Sequence, residues 1–238
     1  MNLMPSPLTP HSEFQDAENI LSAAKQAGIK HVVYSTVLKT GQHKSFPGWD
    51  DEKSKMAWYW LSKDKIENAV RGGGFERWTI LRPGYFMTNL VLPVSTFMYP
   101  ELAVEGVFRS AYKAETRLEL VDPEDLGAVV GGILRDGEKW NGRELDVVGE
   151  ERSVEEVVRI IGEVSGREVK RVDIGGEEVM EGWRGGIVEG QREAVRIQEV
   201  GIGKSDLRLL KELGVEMTGF REFLESKKGD LGEWFGGA

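Results

Sequence analysis

The run of residues 32–37, VVYSTV, constrains the fold of this chain more than any other stretch. It is apolar without a helical period and rich in β-branched and aromatic residues, which predicts a strand buried on both faces of a parallel sheet. Ser35 and Thr36 stand at its carboxyl end. Ligands of open α/β sheets bind outside the carboxyl ends of the strands, so a functional site is expected beside these two hydroxyls.

The next segment, about residues 51–71, is predicted to be a helix. Tyr59, Lys63, Ile66 and Val70 follow one another at spacings that place them on one face, and the two aliphatic residues mark that face as the inward one. An ammonium beside a phenol lowers the pKa of the phenol, which predicts that Tyr59 acts as a general acid or base near neutral pH. The alternative is a phenol packed in the core beside a lysine that reaches water.

The rest of the chain continues the alternation of strands and helices. Further strands are predicted near residues 78–83, 117–121, 144–148 and 169–174. Such alternation predicts parallel βαβ units with right-handed crossovers. Asp122 is expected to cap one helix, and Ser153 with Glu156 forms a capping box before another.

From residue 177 onward the pattern is mostly helical. Segments are predicted near 177–180, 191–199, 206–213 and 220–226, and both ends, 1–10 and 230–238, are expected to be irregular. The predicted fold class is therefore α/β, with a Rossmann-like parallel sheet over residues 1–150 and a smaller, mostly helical substrate lobe over residues 151–238 that packs with it.

Composition excludes several kinds of protein. The net charge of −9 argues against a nucleic-acid-binding face, and the absence of cysteine excludes disulfides and thiol catalysis. No apolar run reaches the roughly 18 residues that span a bilayer, so a cytoplasmic protein without membrane contact is expected. The three histidines, His11, His31 and His43, are too scattered to predict a metal site. His43 is retained as a candidate near the functional site because it lies in the long loop after the first strand.

Four stretches, in this order, carry a resemblance to a known family. They are residues 19–36, residues 62–67 (SKDKIE), residues 79–89 (TILRPGYFMTN) and residues 121–127 (VDPEDLG). Together with the tyrosine four residues before Lys63, the series resembles the short-chain dehydrogenase/reductase superfamily and most closely its NmrA-like branch. The resemblance covers most of the chain to about residue 173. It implies an NAD(P)H-dependent oxidoreductase that acts on an apolar small molecule.

The resemblance also implies roles for individual residues. Tyr59 would donate a proton, Lys63 would lower its pKa and hold the nicotinamide ribose, and Ser35 or Thr36 would polarise the substrate oxygen. The residues expected beside the nicotinamide are Pro83, Gly84, Tyr85 and Phe86. A stretch rich in aromatic residues and methionine then predicts either an apolar substrate wall or core packing. The candidate substrate-pocket residues are Trp49, Phe86, Met87, Asn89, Phe97 and Met98.

One expected motif is missing. No Gly-x-Gly-x-x-Gly turn joins a strand to a helix in this chain. Compared with the family it resembles, the chain is expected to start after the first βα units, which carry that turn. NADP(H) is the expected cofactor, although its pyrophosphate turn is absent. The strand at 32–37 becomes an apolar edge, which predicts a homo-oligomer that covers it. Two alternatives stay open: a non-catalytic NADP-sensing regulator with a protein partner, and a nicotinamide-independent isomerase or cyclase that uses Tyr59.

Overall fold

A computed structural model describes residues 12–176, 178, 182–202 and 205–227 of the chain. The predicted irregular ends, 1–10 and 230–238, lie outside the described residues, as do residues 177, 179 and 180 of the helix predicted there. No helix in the described part of the chain combines the length and the apolarity that crossing a bilayer requires.

Helices and strands alternate through most of the chain. The helices are α1 (Ser12–Gln26), α2 (Ala57–Gly72), α3 (Ser95–Met98), α4 (Pro100–Glu105), α5 (Pro123–Arg135), α6 (Gly137–Trp140), α7 (Val154–Ser165), α8 (Gly182–Glu199), α9 (Arg208–Leu213) and α10 (Phe220–Ser226). The strands are β1 (His31–Ser35), β2 (Arg77–Pro83), β3 (Tyr85–Phe86), β4 (Val107–Ser110), β5 (Arg117–Val121), β6 (Arg143–Val147), β7 (Glu150–Ser153) and β8 (Lys170–Asp173). Two short 3₁₀ helices are His43–Ser45 and Met87–Leu90.

The first sheet has the strand order β1-β2-β6, and both pairings are parallel. The register of β1 with β2 runs from His31 opposite Arg77 to Ser35 opposite Leu81. Pairing continues past the strand, because the backbone N–H of Thr36 donates to the Leu81 carbonyl at 2.8 Å. Among the described residues β1 pairs with β2 alone, so its other side is a sheet edge. The predicted parallel α/β fold is confirmed.

Two smaller sheets complete the described strands. One has the order β3-β5-β7, with β7 antiparallel to β5, and the other pairs β4 with β8 in parallel. The sequence analysis does not anticipate β7, because its four residues, EERS, are polar and lack a strand-like alternation. They form a strand because they pair with β5 and lead into the cap of α7. Phe108, Phe220 and Phe223 are fully buried in the core beside these sheets.

The described residues form two compact units. The first takes residues 12–83, 126–147 and 205–215, and the second takes the other described residues. Each unit therefore draws on separate stretches of the chain, whereas the sequence suggests one boundary near residue 150. The assignment of residues 1–150 to a nucleotide-binding core and of 151–238 to a substrate lobe stays a prediction.

Local sequence signals have the expected structural effects at several helix ends. The capping box of α7 is present, since the Ser153 hydroxyl accepts from the Glu156 N–H at 3.1 Å and the Glu156 carboxylate accepts from the Ser153 N–H at 2.8 Å. The Asp122 carboxylate accepts from the Glu124 N–H at the start of α5. Its neighbour Asp125 instead binds the backbone and the hydroxyl of Thr218, at 2.7 and 2.9 Å.

Candidate active site

The predicted tyrosine and lysine lie one turn apart on α2. The Lys63 ammonium nitrogen is 5.5 Å from the centre of the Tyr59 ring. Lys63 is buried with Ile66 and Val70, whereas Tyr59 is half-buried, so the predicted inward face of the helix is confirmed. The helix begins at Ala57 rather than near residue 51. The residues before it form a turn in which the Asp50 carboxylate accepts from the N–H groups of Glu52 and Lys53.

Glu13 of α1 is the partner of this buried lysine. Its carboxylate forms an ion pair with the Lys63 ammonium, and its second oxygen accepts a 2.8 Å hydrogen bond from the Ser62 hydroxyl. The side chains of Lys63 and Glu13 are only 8% and 3% exposed. A lysine this deeply buried is expected to be paired, and Glu13 supplies the pairing.

The protonation of Tyr59 differs from the sequence prediction. Burial raises the pKa of the Tyr59 phenol, and the nearby Glu13 carboxylate raises this pKa further. The predicted lowering by Lys63 is therefore wrong, because the charge of the ammonium is balanced by Glu13 and burial disfavours the phenolate. Tyr59 is a phenol at neutral pH, which is the form that donates a proton.

The two hydroxyls at the end of β1 face different sides. Burial raises the pKa of Tyr34, Glu13 raises it further, and the Tyr34 hydroxyl bonds to the Thr36 side chain. The Thr36 hydroxyl in turn lies 3.3 Å from that of Thr40. Because neighbouring side chains of a strand alternate, Tyr34 and Thr36 share the side where Glu13 lies, and the exposed Ser35 points to the opposite side. Of the two hydroxyls, that of Thr36 is on the side of Tyr59.

Sequence reasoning missed Glu13 and Tyr34 as members of this cluster. Glu13 precedes Ala17, Leu21 and Ala24 at helical spacing, and these four and Phe14 are the described side chains of α1 with reduced exposure. A carboxylate on the buried face of a helix requires a buried partner, and this requirement could have identified Glu13 from the sequence.

A second buried ion network fixes α2 to the sheet. Glu67 is fully buried and accepts two hydrogen bonds from the Arg82 guanidinium, at 3.0 and 2.6 Å. Arg71 donates to Glu67 and to Glu144 of β6, and Arg82 also donates to Glu144. The arginine of the RPG motif therefore holds the helix that carries Tyr59 and Lys63 against β2 and β6.

The residues expected beside a nicotinamide have packing contacts of their own. A Cβ on Gly84 would lie 2.1 Å from the carbonyl oxygen of Glu119, so glycine is required for the close approach of these two backbones. The Tyr85 hydroxyl lies 2.8 Å from that of Tyr99 and also bonds to the Asn89 side chain. Pro83 ends β2, where its carbonyl accepts from the Leu38 N–H. The cofactor-binding role of residues 83–86 stays a prediction.

The substrate-pocket candidates are spread over both units. In the second unit, Phe97 and Met98 line a shallow cleft that encloses about 40 Å³. Phe97 is 62% exposed and packs edge-on against Trp183, at 5.9 Å between ring centres. Met87 is fully buried in the hydrophobic core, so it packs there and does not line the cleft. Phe86 is half-buried in β3.

Trp49 belongs to the first unit. Its ring centre lies 4.9 Å from that of His43, and its indole N–H donates to the Asp51 carboxylate at 2.6 Å. His43 is 1% exposed, and neither of its ring nitrogens has a hydrogen-bond partner among the described residues. Throughout the part of the chain that the structure describes, no cluster of acidic and histidine side chains is arranged to hold a metal ion.

The chain belongs to the NmrA-like family, whose family model matches residues 6–224. It is 31% identical over 173 residues to the NmrA-like family domain-containing oxidoreductase lnaB of Aspergillus flavus, covering 67% of this chain and 48% of that protein. It is 28% identical over 183 residues to the NAD(P)H azoreductase of Xenophilus azovorans, covering 76% and 56%. The chain thus spans about half the length of the curated relatives it matches.

Solved structures support the same fold. NmrA, a negative transcriptional regulator solved in complex with NADP, superposes with a TM-score of 0.67 at 19% identity, covering 94% of this chain and 74% of that one. The NADPH-dependent quinone oxidoreductase of Escherichia coli, complexed with NADPH, gives a TM-score of 0.67 at 16% identity, covering 91% and 72%. At these identities the similarity shows the Rossmann-like fold.

Proposed function

We propose that this chain acts as an NADP(H)-dependent oxidoreductase of the short-chain dehydrogenase/reductase type and reduces an apolar small molecule. The observation that carries the proposal is the half-buried, protonated Tyr59 beside the buried Lys63, on a helix that follows the carboxyl end of β1. Relatives named as oxidoreductases support the reaction class. The chain spans about half the length of those relatives, so it is a proposal that this chain has the activity of a whole oxidoreductase. Its cytoplasmic location also stays a prediction.

The side chains divide the work of a reduction as follows. Reduction adds a hydride to an electrophilic carbon or nitrogen and a proton to its neighbouring atom. When bound, a nicotinamide would supply the hydride. The Tyr59 O–H donates the proton to the developing anion and recovers one from solvent, while the Thr36 hydroxyl, which lies on the same side of β1 as Tyr59, polarises the acceptor atom by a hydrogen bond.

The donor groups of this site suit the nicotinamide end of the cofactor. Lys63 carries three N–H donors, and the Glu13 contact leaves N–H groups to bond to ribose hydroxyls. The backbone of Pro83, Gly84, Tyr85 and Phe86 is proposed to contact the nicotinamide. We further propose that Trp49, Phe86, Met87, Asn89, Phe97 and Met98 belong to the substrate side, with direct contact from the exposed Phe97 and with Met87 acting from the core.

A second copy of the chain is the proposed partner at the edge of the first sheet. The residues of β1 are partly exposed, although Val32 and Val33 are typical of a buried strand. An uncovered apolar edge strand is a site of pairing between chains. A homo-oligomer would bury it and bring further side chains near the end of β1.

The test combines binding with turnover. NADPH and NADH are titrated against the fluorescence of the seven tryptophans, and NADPH oxidation is followed with a quinone, an azo dye and a triphenylmethane dye. We expect saturable NADPH binding and a fall in kcat of about a hundredfold or more in Tyr59→Phe, the usual contribution of a general acid. The matched control is Tyr112→Phe, which removes a buried phenol oxygen in the second unit. Unchanged turnover in Tyr59→Phe would overturn the proposal.

A regulator is the second candidate, because Lys63 is held by Glu13 and because NmrA is a negative transcriptional regulator. Saturable NADPH binding without turnover of any probe would favour it. Absence of binding at millimolar cofactor, together with Tyr59-dependent chemistry, would instead favour the nicotinamide-independent isomerase or cyclase.

A further inference from the structure

We propose that Glu13 is a positioning residue for the Tyr59–Lys63 pair: its carboxylate fixes the Lys63 ammonium beside the phenol and balances its charge, so that the site donates protons and works in the reductive direction. Only the statement about direction rests on the proposed function. The charge arrangement itself is a property of the folded chain.

The geometry gives Glu13 two fixed contacts and no freedom. One carboxylate oxygen meets the Lys63 ammonium, and the other accepts from the Ser62 hydroxyl at 2.8 Å. Both contacts join α1 to consecutive residues of α2, one turn after Tyr59. With the Glu13 side chain 3% exposed, water cannot compete for these bonds, so the ammonium is confined to one position relative to the phenol ring.

The titratable groups around Tyr59 come from three elements. Glu13 faces it from α1, Lys63 lies beside it on α2, and the uncharged Tyr34 faces the same region from β1. An unpaired ammonium 5.5 Å from the ring would favour the phenolate, whereas a carboxylate opposes it. Because Glu13 balances Lys63, burial prevails and the phenol keeps its proton.

A protonated phenol suits one direction of the reaction. In reduction, the Tyr59 O–H bond breaks as the new O–H or N–H bond of the product forms, and solvent returns the proton to the phenolate. In the oxidative direction the group must begin as a phenolate, which the Glu13 carboxylate and burial both disfavour. The arrangement therefore supports a reductase over a broad range of pH.

Glu13→Gln is the decisive variant, since it removes the charge and keeps the shape. Phenolate formation is followed by ultraviolet absorbance as the pH is raised, with circular dichroism reporting whether the fold persists. The matched control is Asp16→Asn, the same loss of charge at an exposed position of α1. Ser62→Ala removes one hydrogen bond of Glu13 without changing any charge. The double variant Glu13→Gln/Lys63→Met removes both charges. It is used in place of the single variant if the unpaired lysine of Glu13→Gln prevents folding.

We expect one phenolate to appear in folded Glu13→Gln at a pH lower by about one to three units than in the wild type, and this phenolate to be absent when Tyr59→Phe is added. Asp16→Asn and Ser62→Ala should titrate like the wild type. The double variant should titrate like the wild type, because both members of the balanced pair are lost in it and burial remains. Wild-type titration in folded Glu13→Gln, or a downward shift in the folded double variant, would overturn the proposal.

Measuring the rate of reduction against pH separates this inference from the proposed function. If the chain reduces a probe, its rate in Glu13→Gln should fall about tenfold for each pH unit above the new pKa, while Asp16→Asn follows the wild type. A flat profile in Glu13→Gln would contradict the assigned direction. If no probe is reduced at all, the reductase proposal fails, and the phenolate titration still decides the role of Glu13.

Discussion

Replacing Gly84 by alanine separates the packing role of this residue from its expected role beside a nicotinamide. Gly84 lies just before β3, which pairs with β5 through Tyr85 opposite Leu120 and Phe86 opposite Val121. An alanine Cβ would lie 2.1 Å from the Glu119 carbonyl oxygen, a separation that real Cβ atoms do not show. The contact is with backbone, so no side chain can rotate to relieve it.

The size of the effect follows from the shift that the contact demands. Restoring 3.0 Å requires the two backbones to separate by about 0.9 Å, more than a β3–β5 hydrogen bond tolerates. Losing one or two such bonds costs about 1 kcal/mol each, and the added strain of overpacking brings the total to about 2–4 kcal/mol. This cost arises in the protein alone, without cofactor.

Urea unfolding of Gly84→Ala, followed by circular dichroism and tryptophan fluorescence, measures this cost as a lowered midpoint. The matched control is Gly127→Ala in α5, where a Cβ meets nothing within 4 Å. Alanine is the better helix former, so the control should gain about 0.5–1 kcal/mol. If Gly84→Ala were as stable as the wild type and lost only NADPH binding, the packing argument would be refuted and the glycine would belong to the cofactor site.

Two further predictions concern the whole protein. Burial raises the pKa of all five tyrosines, so the folded state keeps its phenols protonated; stability is full below pH about 10, the unfolded pKa, and is lost as the pH rises beyond it. Phenolate absorbance should appear only together with unfolding, and a folded wild-type protein with a tyrosine that ionises near pH 10 would contradict this. Light scattering should give a dimer or larger species, because β1 presents an apolar edge; a stable, monodisperse monomer would argue against the proposed self-association.

The sequence predicted all three strands of the first sheet, and the structure pairs them in parallel. The continuous apolar run of β1 identifies it as a parallel strand, but its residues are only partly buried because one of its sides is a sheet edge in the described structure. The strand β7 could not be predicted, because polar residues there adopt a strand only through pairing with β5. Helix ends that depend on local capping, such as Ser153 before α7, were also predictable.

The site was predictable only in part, because its charges come from elements far apart in the chain. Helical spacing brings Tyr59 and Lys63 together, and that local relation needs no tertiary information. Glu13 lies 50 residues before Lys63, and its partner depends on how α1 packs against α2. The predicted pKa of Tyr59 had the wrong direction for this reason, since a lysine considered without its partner has an uncompensated charge.

Burial along one face of α2 supports a functional role for Tyr59. Tyr59, Lys63 and Glu67 follow at intervals of four residues; the first is half-buried, the second is 6% exposed and the third is fully buried. Lys63 is tied to α1 and Glu67 to Arg82 of β2, so buried ion pairs hold two successive turns of the helix. A packing residue has no need of such support, whereas a proton donor must be held precisely while it stays within reach of a ligand. Tyr59 meets both conditions, because it is half-buried and the two turns of the helix that follow it are held by ion pairs.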